Sequence, residues 1–234
     1  FNVGIGFAID ANNSSDPEAL MKHVKSIRKN ITTSLTAASG SSLSGCHTEL
    51  RRLHILSEIE MLKDGWGETP ESMTDIFENF EKRLNAVGSY ISDKQSILGV
   101  RRAMFSHNER YSEPQMGALW LTTARLARKA GNTEAAYNAV LQAYECGDKA
   151  AKLEEARLLW RDGHGRQAIS ALEGAIKSQV FDEESDSVDP NSLQLKSGAA
   201  PFAGEKQNML LAKAHLLLAK WLDASGQTQT KDMT

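Results

Sequence analysis

The chain has 234 residues, 41% hydrophobic and 24% charged, which is enough apolar material for one large or two small globular domains and excludes a disordered chain. Its formal net charge of -3 gives no global attraction to nucleic acid or to an anionic membrane. The two cysteines, Cys46 and Cys146, have no CxxC or Cys/His ligand spacing around them, which argues against a zinc site or a disulfide framework and suits buried thiols in a reducing compartment.

The opening "FNVGIGFAID" has no basic region, and no apolar run of about 18 residues follows anywhere, so neither a signal peptide nor a membrane span is read. Gly4 and Gly6 begin a glycine-loop pattern, but Ile9 stands where a third glycine belongs and no strand frames it; no nucleotide site is expected there. In "SSDPEALMKHVKSIRKNITTSL", Asp16 reads as an N-cap and Pro17 as the first helical residue, with Leu20, Val24, Ile27, Ile31 and Leu35 along one face. A Ser/Gly-rich loop, 39–45, follows. "CHTELRRLHILSEIEMLKDG" carries Leu50, Leu53, Ile55, Leu56, Ile59 and Leu62, a stripe wide enough for a helix in the centre of a stack. Thr69 and Pro70 repeat the cap-then-proline start, and Met73, Ile76, Phe77, Phe80, Leu84 and Val87 form the apolar face behind them. Further helices are expected at about 93–106, 114–130, 133–144, 150–161 and 166–178. No segment alternates with period two, so the fold class is all-α.

An internal repeat organises the second half. Gly131 aligned with Gly163, an offset of 163 - 131 = 32 residues, lays "KAGNTEAAYNAVLQA" over "RDGHGRQAISALEGA". Ala136 then matches Ala168, Tyr137 matches Ile169, Ala139 matches Ala171 and Val140 matches Leu172. The period lies near the roughly 34 residues of tetratricopeptide repeats, in which small residues let paired helices approach closely. A third turn is read in "KWLDASGQTQ", with Trp221 set against Trp160 and Gly226 against Gly163, after an inserted loop at 182–204. The architecture expected is an α-solenoid of tetratricopeptide/HEAT-like helix-turn-helix repeats, with N-terminal helical repeats over 1–112 and tetratricopeptide-like repeats over 113–234. A first residue that is not Met and an end in mid-repeat lead us to expect a piece of a longer protein.

Chemistry is sparse. His47 and His54 could share a helix face but have no third ligand, so they read as packing or surface histidines. Glu58 with Glu60, and Glu154 with Glu155, are too close in sequence to face one another on a helix and read as solvated charge. Lys22, Lys25, Arg28 and Lys29 form a basic stripe on the solvent side of their helix. Trp120, Tyr137 and Trp160 read as core. No catalytic, cofactor-binding or metal residue is assigned, since GxSxG, HExxH, P-loop, HRD and DFG patterns are all missing.

Particular strings say more. "LRRLHILSEIEML", "SILGVRRAMFS", "LWLTTARLARKAGNTEAAYNAVLQA", "KLEEARLLWRDGHGRQAISALEGAI" and "GEKQNMLLAKAHLLLAKWLDASGQ" occur in that order and resemble the FAT region of phosphoinositide-3-kinase-related protein kinases of the ATR type. The resemblance implies a helical frame around a serine/threonine kinase domain that is not in these residues. The parent would use ATP with Mg or Mn, work in the nucleus in DNA-damage and replication-stress signalling, contact an ATRIP-type partner subunit, and form a homodimer. This segment would touch its own kinase domain and neighbouring helical repeats, with no nucleic acid and no membrane. Ser178-Gln179 and Thr228-Gln229 match the SQ/TQ preference of that family, which makes Ser178 and Thr228 candidate phosphoacceptors. The alternative is a free-standing tetratricopeptide-type adaptor. Its groove would need polar or basic residues repeated on the first helix of each pair, where this chain offers Met116, Trp120, Ala124 and Ala127.

Overall fold

The computed structural model describes residues 1–14, 16–39, 43–64, 70–88, 90–106, 113–181 and 202–226. Among them every regular element is a helix: α1 (Asn2–Asn13), α2 (Pro17–Ser39), α3 (Leu43–Asp64), α4 (Pro70–Ala86), α5 (Ile91–Phe105), α6 (Glu113–Ala130), α7 (Thr133–Glu145), α8 (Ala150–Arg161), α9 (Gly165–Lys177) and α10 (Phe202–Ala224). The chain divides into two compact units, Phe1–Leu119 and Trp120–Thr234.

In the first unit, α2 starts as its sequence dictates. The Asp16 carboxylate accepts the Ala19 N–H at 3.0 Å, and Pro17 occupies the position whose missing N–H costs nothing. Leu20, Val24, Ile27 and Ile31 are buried, and Leu35 is only half-buried. The glycine-bearing opening is not a loop but the helix α1. A side chain at Gly4 would come within 2.9 Å of Ile27 Cγ1, so the glycine lets α1 lie close against α2. Its partner α3 packs against α1, α2, α4 and α5 and is the central helix of this unit. Ile55, Leu56, Ile59 and Leu62 are buried there, whereas Leu53 is half-buried and Leu50 exposed, so the buried stripe is narrower than its apolar content suggests. Residues 43–45, expected in a loop, already belong to α3. In α4, Ile76, Phe80 and Leu84 are buried, and Phe77 meets Phe80 and Phe105 edge-on at 6.1 and 5.7 Å. Thr69 and the side chain of Met73 lie outside the described residues.

The second unit repeats one turn. At the end of α6, Gly131 has φ 81°; its N–H bonds the Arg128 carbonyl, and the Asn132 N–H bonds that of Ala127. Two helix-end carbonyls that would otherwise lack partners are thereby satisfied, the arrangement that favours glycine. The same pair of bonds closes α7 at Gly147, α8 at Gly163 and α9 at Gln179. The repeat is thus visible twice, since 163 - 131 and 179 - 147 both equal 32. Gln179 holds φ 54°, a conformation in which its Cβ crowds the following carbonyl. Gln179→Gly is therefore expected to raise stability by about 1 kcal/mol, read as a higher midpoint in urea unfolding.

Alanines allow the close packing. Ala124, Ala127, Ala136, Ala139, Val140 and Ala143 form one buried cluster with Ala151 and Leu158. A second cluster joins Leu153, Ala156, Ala168, Leu172 and Phe181 to Ala214 and Trp221. Two expectations change here. Ala171, matched to the buried Ala139, is exposed, because the face of α9 that buries Ala168, Leu172 and Ala175 leaves it in solvent. The inserted loop ends earlier than 204: Phe202, Ala203 and Gly204 open α10, and 182–201 lie outside the described residues.

Candidate functional site

Charge inside the helix stack is the feature the sequence reading missed. Glu58 and Glu154, read as solvated, are 3% and 1% exposed. Ionised carboxylates are buried only with partners, and arginines from other helices supply them. Arg101 of α5, itself buried, donates from Nε and Nη2 to the two oxygens of Glu58, both at 2.7 Å, and from Nη2 to the Phe80 carbonyl at 2.6 Å. Its guanidinium lies 4.8 Å from the centre of the Phe80 ring. Burial pushes the Glu58 carboxyl up from its ordinary 4.5, while the hydrogen bond and charge of Arg101 pull it back down. This one group ties α3, α4 and α5 together.

Glu154 sits in the second unit among three guanidiniums. Arg128 of α6 donates from Nε to Oε1, Arg157 from Nη1 to Oε2 at 3.2 Å, and Arg125 Nε stands 3.9 Å from Oε2. Glu60 and Glu155 are half-buried: Glu60 pairs with Arg28, and Glu155 with Lys152 at 3.0 Å. Lys22, Lys25 and Lys29 are exposed as expected, but Arg28 leaves the basic stripe to bridge α2 and α3.

The remaining candidates are placed as follows. His47 stands 3.4 Å from Asp93 and edge-on to Tyr90, and Asp93 also takes a 2.9 Å bond from Arg51. His54 is held below its ordinary value by burial and by the charge of Arg83. Among the described residues no three His, Cys, Asp or Glu could hold a metal ion. Neither Cys46 nor Cys146 is in a disulfide, and both are half-buried rather than buried. Tyr137 is half-buried; burial and its hydrogen bond to Asp162 raise its phenol. Trp120 is half-buried against the first alanine cluster. Trp160 is half-buried too and stacks on Trp221 with centroids 4.9 Å apart and planes 6° from parallel. The two tryptophans are not repeat equivalents: Trp160 precedes its turn glycine by three residues and Trp221 by five (163 - 160 and 226 - 221).

Ser178 caps the C-terminus of α9, where its hydroxyl donates to the Gly174 carbonyl, and Thr228 lies outside the described residues. A cleft of about 410 Å³ between α1, α2 and α3 is lined by residues that include Phe1, Phe7, His23 and Arg52. What the described geometry offers is a charge-pinned helical frame.

The family model described as "FAT domain" matches residues 7–234. The chain belongs to the FAT domain family. Its relatives are protein kinases by name, those called ATR being serine/threonine-protein kinases. It is 26% identical over 248 residues to the serine/threonine-protein kinase ATR of Oryza sativa subsp. indica, an alignment covering 100% of the chain and 9% of that protein. With the ATR kinase of Arabidopsis thaliana it shares 28% over 219 residues, 85% of the chain and 8% of the relative. With protein kinase rad3 of Schizosaccharomyces pombe it shares 26% over 201 residues, 86% of the chain and 8% of the relative. The FAT chain therefore spans about 9% of the length of the first relatives it matches. No solved structure matches it. No described helix is long and apolar enough to cross a membrane.

Proposed function

We propose that this FAT segment is a helical frame within an ATR-type serine/threonine protein kinase of DNA-damage and replication-stress signalling, and that it holds and regulates the kinase domain. The observation that carries this reading is the double duty of α8. Ala151 and Leu158 belong to the first alanine cluster, and Leu153 and Ala156 to the second. A displacement of α6 and α7 is thereby passed through one rigid helix to α9 and α10, as packed helices relay small shifts over a long span. The parent kinase would use ATP with Mg or Mn, act in the nucleus, contact an ATRIP-type subunit and form a homodimer. Its kinase domain and the neighbouring repeats would be this segment's immediate partners. The division into N-terminal repeats and a tetratricopeptide-like array from about residue 113 belongs to the same reading.

The test uses the α6–α7 contact. Ala127 and Ala136 are both 0% exposed, so Ala136→Leu forces three carbons into a filled space and should cost about 1–3 kcal/mol. Lys129→Glu, at an exposed position of the same turn, should change stability by less than about 0.5 kcal/mol. Unfolding midpoints are measured on the FAT chain and phosphotransfer on the full-length kinase. Lower stability with altered activity supports a regulatory frame; lower stability with intact activity makes the segment a passive one; no change in either removes the tight pair. Ser178 and Thr228 are proposed phosphoacceptors. Phosphopeptide mapping of the active kinase that covers both and finds neither modified would remove that proposal.

A further inference from the structure

Three glutamates are buried among the described residues, Glu49, Glu58 and Glu154, and two of them have both oxygens served. Arg101 donates to the two oxygens of Glu58, and Arg128 and Arg157 divide those of Glu154 between them. Glu49 differs. Arg52, one turn further along α3, donates to its Oε1, while its Oε2 is buried without a hydrogen-bond partner. A charged acceptor left unserved in the interior is a cost that folded chains normally avoid. Of the three, Glu49 is also the one that lines the cleft between α1, α2 and α3.

That cleft lies wholly within the first unit. Its volume of about 410 Å³ falls in the range of sites that enclose a small ligand, roughly 300–1,000 Å³. Val3 and Phe7, one turn apart on α1, give it an apolar border that is 73% and 54% exposed. Ser26, Asn30 and Ser34, spaced four residues apart along α2, line it with hydroxyl and amide groups. Its arginine, Arg52, is already engaged by Glu49 Oε1 and by Phe1, whose ring centre lies 5.2 Å from the guanidinium.

We propose that this cleft receives a lysine side chain of a partner protein, with its stem against Val3 and Phe7 and its ammonium on Glu49. The lone oxygen calls for a donor, and a cation is the strongest one. A guanidinium grips a carboxylate with a two-pronged fork, which Glu49 cannot meet while Arg52 holds Oε1. An ammonium is a point charge and needs one oxygen. Its remaining N–H groups find acceptors in the side chains from α2. The soft terminal torsion of a glutamate lets Oε2 turn toward the cleft. A second cation beside Arg52 has a precedent in this chain, since Glu154 holds three guanidiniums, the farthest at 3.9 Å. A partner's lysine fits better than a free amine, because a butylammonium alone leaves much of the cleft empty and the residues flanking a lysine fill it. The inference rests on the cleft and uses nothing of the kinase reading, so the two stand or fall separately.

The experiment titrates the intact 234-residue chain, carbon-13 labelled at its methyl groups, with the capped peptide Ala-Leu-Lys-Leu-Ala and follows the methyl NMR shifts of Val3, Ile27 and Ile31. A second peptide carries norleucine, which keeps the stem and lacks the ammonium. The lysine peptide is expected to shift those methyls saturably, and the norleucine peptide to bind about tenfold more weakly. Glu49→Gln should weaken the lysine peptide about tenfold, whereas Glu18→Gln, an exposed acid of α2 outside the cleft, should change it less than about twofold. Circular dichroism verifies that each variant is helical. Should Glu49→Gln lose its fold, the exposed Phe7→Ala carries the test beside the norleucine peptide, with a loss of about threefold. Absence of a saturable shift overturns the proposal, as does equal binding of the norleucine peptide or an equal loss in Glu18→Gln. Tighter binding of the arginine counterpart overturns the choice of lysine, and butylamine binding as tightly as the peptide overturns the choice of a partner protein.

Discussion

Arg101→Leu is expected to destabilise the FAT chain by about 3–5 kcal/mol, because it strands a buried carboxylate whose two oxygens both accept from Arg101. Leucine fills much of the arginine's stem volume, so the loss is electrostatic more than steric. The pH dependence separates those two causes. Burial already holds the Glu58 carboxyl above its ordinary 4.5, against the pull of Arg101. A carboxyl raised in the folded state favours folding below its unfolded value and loses that contribution as pH rises through the folded one. With Arg101 gone only the weaker pull of the Arg83 charge remains, and the group rises further. The deficit of Arg101→Leu should therefore be largest near neutral pH and shrink as pH falls through the raised folded value of Glu58 toward the ordinary 4.5. A second variant, Arg101→Leu with Glu58→Leu, should recover much of the loss, since apolar replacements of a whole buried pair are often neutral. Urea midpoints across pH decide it. A loss below about 1 kcal/mol, or one independent of pH, would mean that Glu58 finds water or another donor.

The same pair shows what the sequence could and could not reveal. Glu58 lies on the buried stripe of α3 between Ile55 and Leu62, and Arg101 lies on that of α5 between Leu98 and Met104. One charged residue on an apolar stripe, matched by an opposite charge on another stripe, was a legible signal. The partnership across 43 residues was not, because periodicity reports a helix's faces and says nothing of which helix arrives opposite. Glu154 repeats the lesson on the stripe of Ala151 and Leu158, with its arginine 26 residues upstream. Caps and turns were easier. Asp16, Pro17, Gly131 and Gly163 act within a few residues of themselves, and local chemistry decides them. Helix α1 was missed because its two glycines lower helix propensity and Phe1 offers no side-chain cap; packing of Ile5 and Ala8 overrides both. Gln179 escaped for the opposite reason: glycine marks a left-handed turn, and a glutamine forced into one carries no mark.

Trp221→Ala should cost about 3–5 kcal/mol, the range for deleting a large aromatic from a core. Trp221 is 4% exposed and belongs to the cluster that joins α8, α9 and α10, so its loss opens a cavity where α10 meets the repeat before it. Its stacking partner behaves differently. Trp160 is half-buried, and its ring lies so near Gly165 that a side chain there would stand 3.2 Å from Cζ3. Trp160→Ala should therefore cost less, about 1.5–3 kcal/mol, because part of its surface already faces water. The stack itself predicts a coupling of about 0.5–1.5 kcal/mol between the two, measured as the shortfall of the double variant from the sum of the singles. Gly165→Ala supplies an independent check, since the added methyl makes the Trp160 ring give by a few tenths of an ångström and loosens the stack while both tryptophans are kept. Tryptophan fluorescence and urea midpoints read all four variants. If Trp221→Ala costs under about 1 kcal/mol, α10 is not a packed member of the array.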